Sequence, residues 1–211
     1  MSKNIDKTLE SVVDYFNDSF QQYGAKAEGV DYNSEEAQIR RFSELEKILD
    51  KATDKFTLLD YGCGYGALPL YLQKQGYDFK YIGYDISKEL VAAANENIPD
   101  NCDWKFTANL DGLEPVDYVI ACGVFNIKLN SKTSEWESYF YDQINVLSKL
   151  SLKGFSFNTL TSYSDEDRMS DKLYYPDPKQ VFDFCVCNHS RHVALLHDYK
   201  LYDCTYLVRK S

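Results

Sequence analysis

Apolar residues recur at helical spacing up to about residue 50, then gather into short continuous runs divided by further helical stretches. Ile5, Leu9, Val12, Val13, Phe16 and Phe20 share one stripe of a 3.6-residue period, so an amphipathic helix is expected over 5–20. Gly24 and Gly29 interrupt the pattern in a loop that runs to Asn33. Asn33 with Glu36 three residues later has the form of a capping box, opening a second helix to about Asp50 that buries Ile39, Phe42, Leu45 and Leu49. Beyond it, strands are expected at 56–61, 80–85, 104–108, 117–122, 153–160, 191–198 and 202–209. Helices fit between them at 66–75, 87–97, 134–150 and 178–188.

Alternating strands and helices predict an α/β, doubly wound, mostly parallel sheet of seven strands with helices on both faces. Two helix starts carry cap signals, Ser134 with Glu137 and Asp177-Pro178 with Gln180. The connection 108–117 holds Gly112 and Pro115 and has no room for a full helix. The last two strands are joined only by Asp198 to Leu201, too few residues for a parallel crossover, so they form an antiparallel hairpin. No repeat or linker divides the chain. One domain is expected over 1–211, with a helical cap at 1–50 and the core at 51–211.

The stretch FTLLDYGCGYGALPLYL, Phe56 to Leu72, carries the chemistry. A short apolar run ends in Asp60, and Gly62, Gly64 and Gly66 follow at alternate positions before a helical pattern starts. Glycines let the backbone turn tightly and approach a ligand, and the helix start offers free N–H groups. Gly62, Gly64 and Ala67 with Asp85 also fit a dinucleotide fingerprint, which would make the chain an NAD-dependent oxidoreductase. Asp60, two residues before the first glycine, and the tight Gly-Cys-Gly-Tyr-Gly run tip the balance.

LLDYGCGYG at 58–66 resembles the first motif of the class I S-adenosylmethionine-dependent methyltransferases. YIGYDIS at 81–87 resembles their acidic second motif, and DYVIACGVFN at 117–126 their fourth-strand motif. GVDYNSEEAQIRRFSEL (29–45), GFSFNTLTSYSD (154–165), LYYPDP (173–178) and the stretch 189–210 are similar to a group of small bacterial methyltransferases. The resemblance implies a Rossmann-like methyltransferase fold whose terminal strand is reversed, and S-adenosyl-L-methionine as cofactor, leaving S-adenosyl-L-homocysteine as product.

It also implies roles. The glycine loop lies against the amino-acid and ribose parts. Asp85, with Ile86 beside it, takes the ribose hydroxyls unless it only caps the next helix, a task open to Ser87. Asp60 holds the ammonium or fixes the loop by bonding its N–H groups. Asn109, where Asp is commoner, and Leu110 flank adenine, while Gly123, Val124 and Phe125 line the methyl-transfer side. The cofactor carboxylate calls for an arginine fork. Arg41, on the flank of the buried stripe of 34–50, is the candidate, and Tyr32 could close over the pocket; a solvated arginine and plain packing are the alternatives. In this fold the segment before the first strand commonly serves as a lid; two helices that only cover a sheet edge are the alternative.

Charge narrows the acceptor. There are 23 basic and 33 acidic residues, net −10, and no basic cluster longer than Arg40-Arg41 or Arg209-Lys210. A nucleic-acid substrate needs a basic footprint, so a small molecule is expected, such as a sugar, sugar nucleotide or related metabolite, methylated on oxygen or nitrogen. A cofactor-binding protein without turnover is a further alternative. No apolar run reaches membrane-spanning length and MSKNIDKTLE lacks a signal core, so a cytoplasmic protein is expected, with reduced cysteines and no membrane partner. Oligomeric state is left open. A catalytic base has only His189, His192 and His197 as candidates, all late in the chain, and the polar loop Thr161–Tyr175 is placed to recognise the acceptor. Cys185, Cys187, His189 and His192 spell C-x-C-x-H-x-x-H, but the spacing is not that of a zinc knuckle and no metal is assigned.

Overall fold

The computed structural model describes residues 3–50, 55–99 and 102–210, with side chains from Ile5 onward. Its helices are α1 (Lys3–Tyr23), α2 (Glu35–Leu45), α3 (Ala67–Lys74), α4 (Lys88–Glu96), α5 (Thr133–Leu150) and α6 (Pro178–Asn188). Its strands are β1 (Phe56–Tyr61), β2 (Phe79–Tyr84), β3 (Trp104–Thr107), β4 (Val116–Ala121), β5 (Ser151–Leu160), β6 (His192–Leu196) and β7 (Asp203–Arg209). They form one sheet in the order β3-β2-β1-β4-β5-β7-β6. β7 runs antiparallel to both neighbours, and the remaining pairs are parallel. The hairpin expected from the short 198–201 connection is present, and its reversed strand lies inside the sheet, with β6 outside it.

Because both faces of the sheet are covered, its central strands are buried over most of their length. Leu59, Tyr61, Val119, Ala121, Phe155 and Phe157 join Trp136, Phe140, Ile144 and Leu147 of α5 in one core. Leu58, Ile120 and Tyr81 join Phe42, Leu45, Leu68 and Leu72 in the other. The alternation of Leu58 with Leu59 and of Val119 with Ile120 is the two-residue period of a strand packed on both sides.

Local corrections follow from what each helix meets. The cap of α2 is Ser34, whose Oγ accepts the Ala37 N–H at 3.2 Å, and not Asn33. Ile39 is 40% exposed, while Gln38 is buried and its Oε1 accepts the Tyr65 hydroxyl at 3.2 Å. Phe42, Leu45 and Leu49 are buried as expected and Gln38 takes the place of Ile39, because a partnered amide can be enclosed at no large cost. The helix itself ends at Leu45 and gives way to a 3-10 turn over Glu46–Ile48 instead of running to Asp50. α5 starts at Thr133 with Lys132 before it and no side-chain cap, so the Ser134 signal is not used. Asp177 and Ser87 cap α6 and α4 through the N–H groups of Lys179 and Leu90.

α1 crosses the carboxyl edge of the sheet. Near one end Ile5 and Val12 enter the α5-side core. Toward the other, Asn17 Oδ1 accepts the Ser87 hydroxyl at 2.5 Å and Gln21 donates to Glu89 at 3.1 Å, tying the helix to the first turn of α4. Among the described residues no helix is long and apolar enough to cross a membrane. All six cysteines are free thiols.

Candidate cofactor site

β1 delivers Asp60 and Tyr61 to the carboxyl edge, where the glycine loop turns back over β2. The Gly62 and Cys63 N–H groups both donate to Tyr84 O, at 2.7 and 2.9 Å. Gly62 has φ +81°, and a Cβ there would lie 2.4 Å from Val124 Cγ2, so the loop can pack against the β4–α5 connection only without a side chain. Asp85 anchors this turn. Its Oδ2 accepts the Gly64 N–H at 2.8 Å and its Oδ1 the Ser87 N–H at 2.9 Å. The bond to a loop N–H, one of the two roles expected of Asp60, is made by Asp85. Asp60 instead accepts the Tyr81 hydroxyl at 2.7 Å.

A cavity opens above these groups. The loop residues Gly62, Cys63 and Gly64 line it with Asp60, Asp85 and Ile86. Leu9, Val12 and Phe16 of α1 and Tyr32, Gln38 and Phe42 of the following segment form its roof, and Gly123, Val124, Trp136 and Tyr139 one wall. Both carboxylates are deeply enclosed, Asp60 at 2% and Asp85 at 8% exposure. Burial pushes the Asp60 carboxyl up to about 7, opposed by the Tyr81 hydrogen bond and aided by the charge of Asp85. Burial also raises Asp85, against the pull of the Ser87 and Gly64 N–H groups. Among the described lining residues there is no lysine, arginine or histidine. Tyr61 donates to Gln143 Oε1 at 2.6 Å, and burial raises both its phenol and that of Tyr139, so these hydroxyls stay protonated near neutral pH.

Of the residues singled out in the sequence, Asp60, Gly62, Gly64, Asp85, Ile86, Gly123 and Tyr32 line the cavity. Others lie elsewhere. Gly66 faces Phe106, whose ring would meet a Cβ at 2.9 Å. Asn109 is exposed, its Oδ1 accepting the Asp111 N–H in a local turn, and Leu110 packs beside the α5-side core. Phe125 is fully buried in that core. Arg41 does not reach the cavity: its Nη2 pairs with the buried carboxylate of Asp203 and its Nη1 donates to Ala37 O.

The histidines are also remote. His189 is the residue after α6 and sits edge-on to Phe155 and Phe184. His192 and His197 are exposed, the latter stacked near Tyr163. The 161–175 loop contributes no cavity residue, since Tyr174 and Leu173 are bonded to Asn126 and Ile127. In the C-x-C-x-H-x-x-H run Cys185 belongs to the α5-side core and Cys187 is exposed. Gln38, Trp136 and Tyr139 had no signal of their own in the sequence, while Leu9, Val12 and Phe16 were legible there only as the apolar stripe of a helix ahead of the first strand.

Residues 59–151 match the family model described as Methyltransferase domain. Over 162 residues the chain is 46% identical to the Mycobacterium tuberculosis protein named Putative methyltransferase Rv1506c, covering 76% of this chain and 96% of that one. Among solved structures, the DhpI–SAM–HEP complex superposes with a TM-score of 0.63 over 100% of both chains at 13% identity. Mycolic acid cyclopropane synthase CmaA1, solved with SAH and CTAB, gives 0.55 at 17% identity, and the chain spans 64% of its length. At these identities the two structures speak for the fold. With the extended match to its curated relative, they place this chain in the class I S-adenosylmethionine-dependent methyltransferase family.

Proposed function

We propose that the cavity holds S-adenosyl-L-methionine and that the protein transfers its methyl group to an oxygen or nitrogen of a small-molecule acceptor. One observation carries the cofactor reading: two enclosed carboxylates and no basic side chain on the described walls. Such a site attracts a ligand bearing a sulfonium and an ammonium, and repels the pyrophosphate of a dinucleotide. The oxidoreductase alternative therefore loses its electrostatic support. In this reading Asp60 holds the ammonium, and Asp85 takes the ribose hydroxyls with the lone pairs left after its two backbone bonds. With Arg41 engaged elsewhere, the cofactor carboxylate falls to a neutral donor such as the Gln38 amide, whose Nε2 is left to donate while its Oε1 accepts the Tyr65 hydroxyl.

When bound, the cofactor supplies an activated methyl carbon. The chain supplies position and a dry wall. Leu9, Val12, Phe16 and Trp136 exclude water, and aromatic faces suit a sulfonium. No histidine lies at the cavity, so the reading is of catalysis by alignment, with Tyr139 and Tyr84 orienting the acceptor as neutral hydroxyls. The reacting group is a neutral hydroxyl or amine, because an anion is repelled as pyrophosphate is and a protonated amine has no lone pair to attack with; the proton left on the methylated atom passes to solvent. Calorimetry with S-adenosylhomocysteine beside NAD tests the cofactor; saturable NAD binding with no response to the former overturns it. Tritiated methyl transfer to metabolite, RNA and protein fractions tests the acceptor, and label recovered mainly in RNA refutes the small-molecule reading.

A further inference from the structure

We propose that Asp203 is a positioning residue of the cofactor site, acting through Arg41 on one side and Asn158 on the other; this rests on the cofactor reading above. Since β7 runs against β5, its first residue pairs in register with Leu160, the last of β5, at the carboxyl edge where the cavity lies. The Asp203 side chain has no exposed surface, so both its oxygens need partners. Oδ2 takes Arg41 Nη2, and Oδ1 accepts Asn158 Nδ2 at 3.0 Å.

That second bond fixes the Asn158 amide. A carboxylate only accepts, so Nδ2 turns toward Asp203 and Oδ1 is left to accept the Gly123 N–H, at 2.8 Å. On the other arm the Arg41 guanidinium lies over the Tyr32 ring, 5.1 Å from its centre. Tyr32 donates its hydroxyl to Cys122 O at 3.2 Å, with Cys122 Sγ 3.1 Å away, and a Cβ on Gly123 would stand 2.6 Å from the Tyr32 hydroxyl oxygen. The two arms meet again at Cys122 and Gly123, closing a ring through the cap, β7, β5 and the cavity wall. Arg41, Asn158 and Asp203 do not line the cavity; Tyr32 and Gly123, which they hold, do. Loosening Asp203 releases the roof and the wall together.

The test uses the full chain as parent, Asp203→Asn, Arg41→Gln, the pair combined, and Tyr32→Phe. S-adenosylhomocysteine affinity is measured by calorimetry, and amide hydrogen exchange on the ligand-free forms. Each of the first two changes should weaken binding about tenfold, and the combination no further, because both cut one path. Without ligand, exchange at 30–34 and 122–125 should quicken while β1 and β2 keep parent protection. Parent-like affinity, additive losses, or a lower melting temperature with unchanged affinity and exchange would each overturn the proposal. If Asp203→Asn does not fold, Tyr32→Phe opens the ring without touching the ion pair. It should weaken binding about threefold and quicken exchange at 122–125, and parent values in both defeat the idea. Should the parent itself not bind S-adenosylhomocysteine, the cofactor reading fails, and the ligand-free exchange alone decides the ring.

Discussion

Asp60 concentrates the electrostatic cost of the site in one residue. Burial holds its carboxyl near 7, so the folded chain binds this proton more tightly than the unfolded chain, whose carboxyl titrates near ~4. The sign follows: Asp60 lowers stability as pH rises from about 4 to about 7, by on the order of 4 kcal/mol. Asp60→Asn should flatten the fall in melting temperature over that window. A cationic ligand favours the ionised form, so parent affinity for the methyl donor should rise with pH between about 6 and 8, with proton release, and the variant should lose both. At Asp85 the bonds to Gly64 and Ser87 mean that Asp85→Ala strands two backbone donors. Denaturant melts should show a loss of about 2 kcal/mol alongside weaker cofactor binding. Gly62→Ala adds left-handed strain to the clash with Val124 and should cost roughly 2–4 kcal/mol.

α1 is the element whose role changes most once its packing is seen. Its apolar stripe serves two ends, with Ile5 in the α5-side core and Leu9, Val12 and Phe16 over the cavity. Deleting residues 1–30 would therefore remove core as well as roof, and cannot by itself separate a lid from a packing helix. The tether to α4 can: Asn17 and Gln21 hold α1 there through side chains alone. Asn17→Ala with Gln21→Ala should cost about 1–2 kcal/mol of stability, since the Ser87 hydroxyl is buried and loses its acceptor, yet speed S-adenosylhomocysteine dissociation several-fold in stopped flow. An unchanged dissociation rate would mean that α1 does not gate the cavity.

At the scale of the whole molecule, a net charge of −10 and an acid-walled cavity create one field for incoming ligands. S-adenosylmethionine carries one net positive charge and S-adenosylhomocysteine none, so salt should act on them differently. The association rate of the former should fall by about twofold or more between low and high ionic strength, and that of the latter should stay flat. Equal salt dependence would show that the field does not steer the cofactor.

The chain's periodicity by itself determined the elements. Two-residue alternation with short runs marks buried strands whatever surrounds them, and a connection of 198–201 admits only a hairpin. The glycine loop and its acids were legible because tight turns and close approach demand particular residue types at fixed spacing. Tertiary structure decided what those residues touch. Arg41 looked free to meet a cofactor carboxylate until the reversed β7 brought Asp203 to the same edge, 162 positions later in the chain. Ile39 and Gln38 traded places because Tyr65 offered the amide a partner. Asn109 turned to its own backbone, and the histidines fell around α6 and β6, away from the cavity. Local pattern fixes an element's period, whereas the direction a side chain faces depends on partners that only folding brings within hydrogen-bond reach.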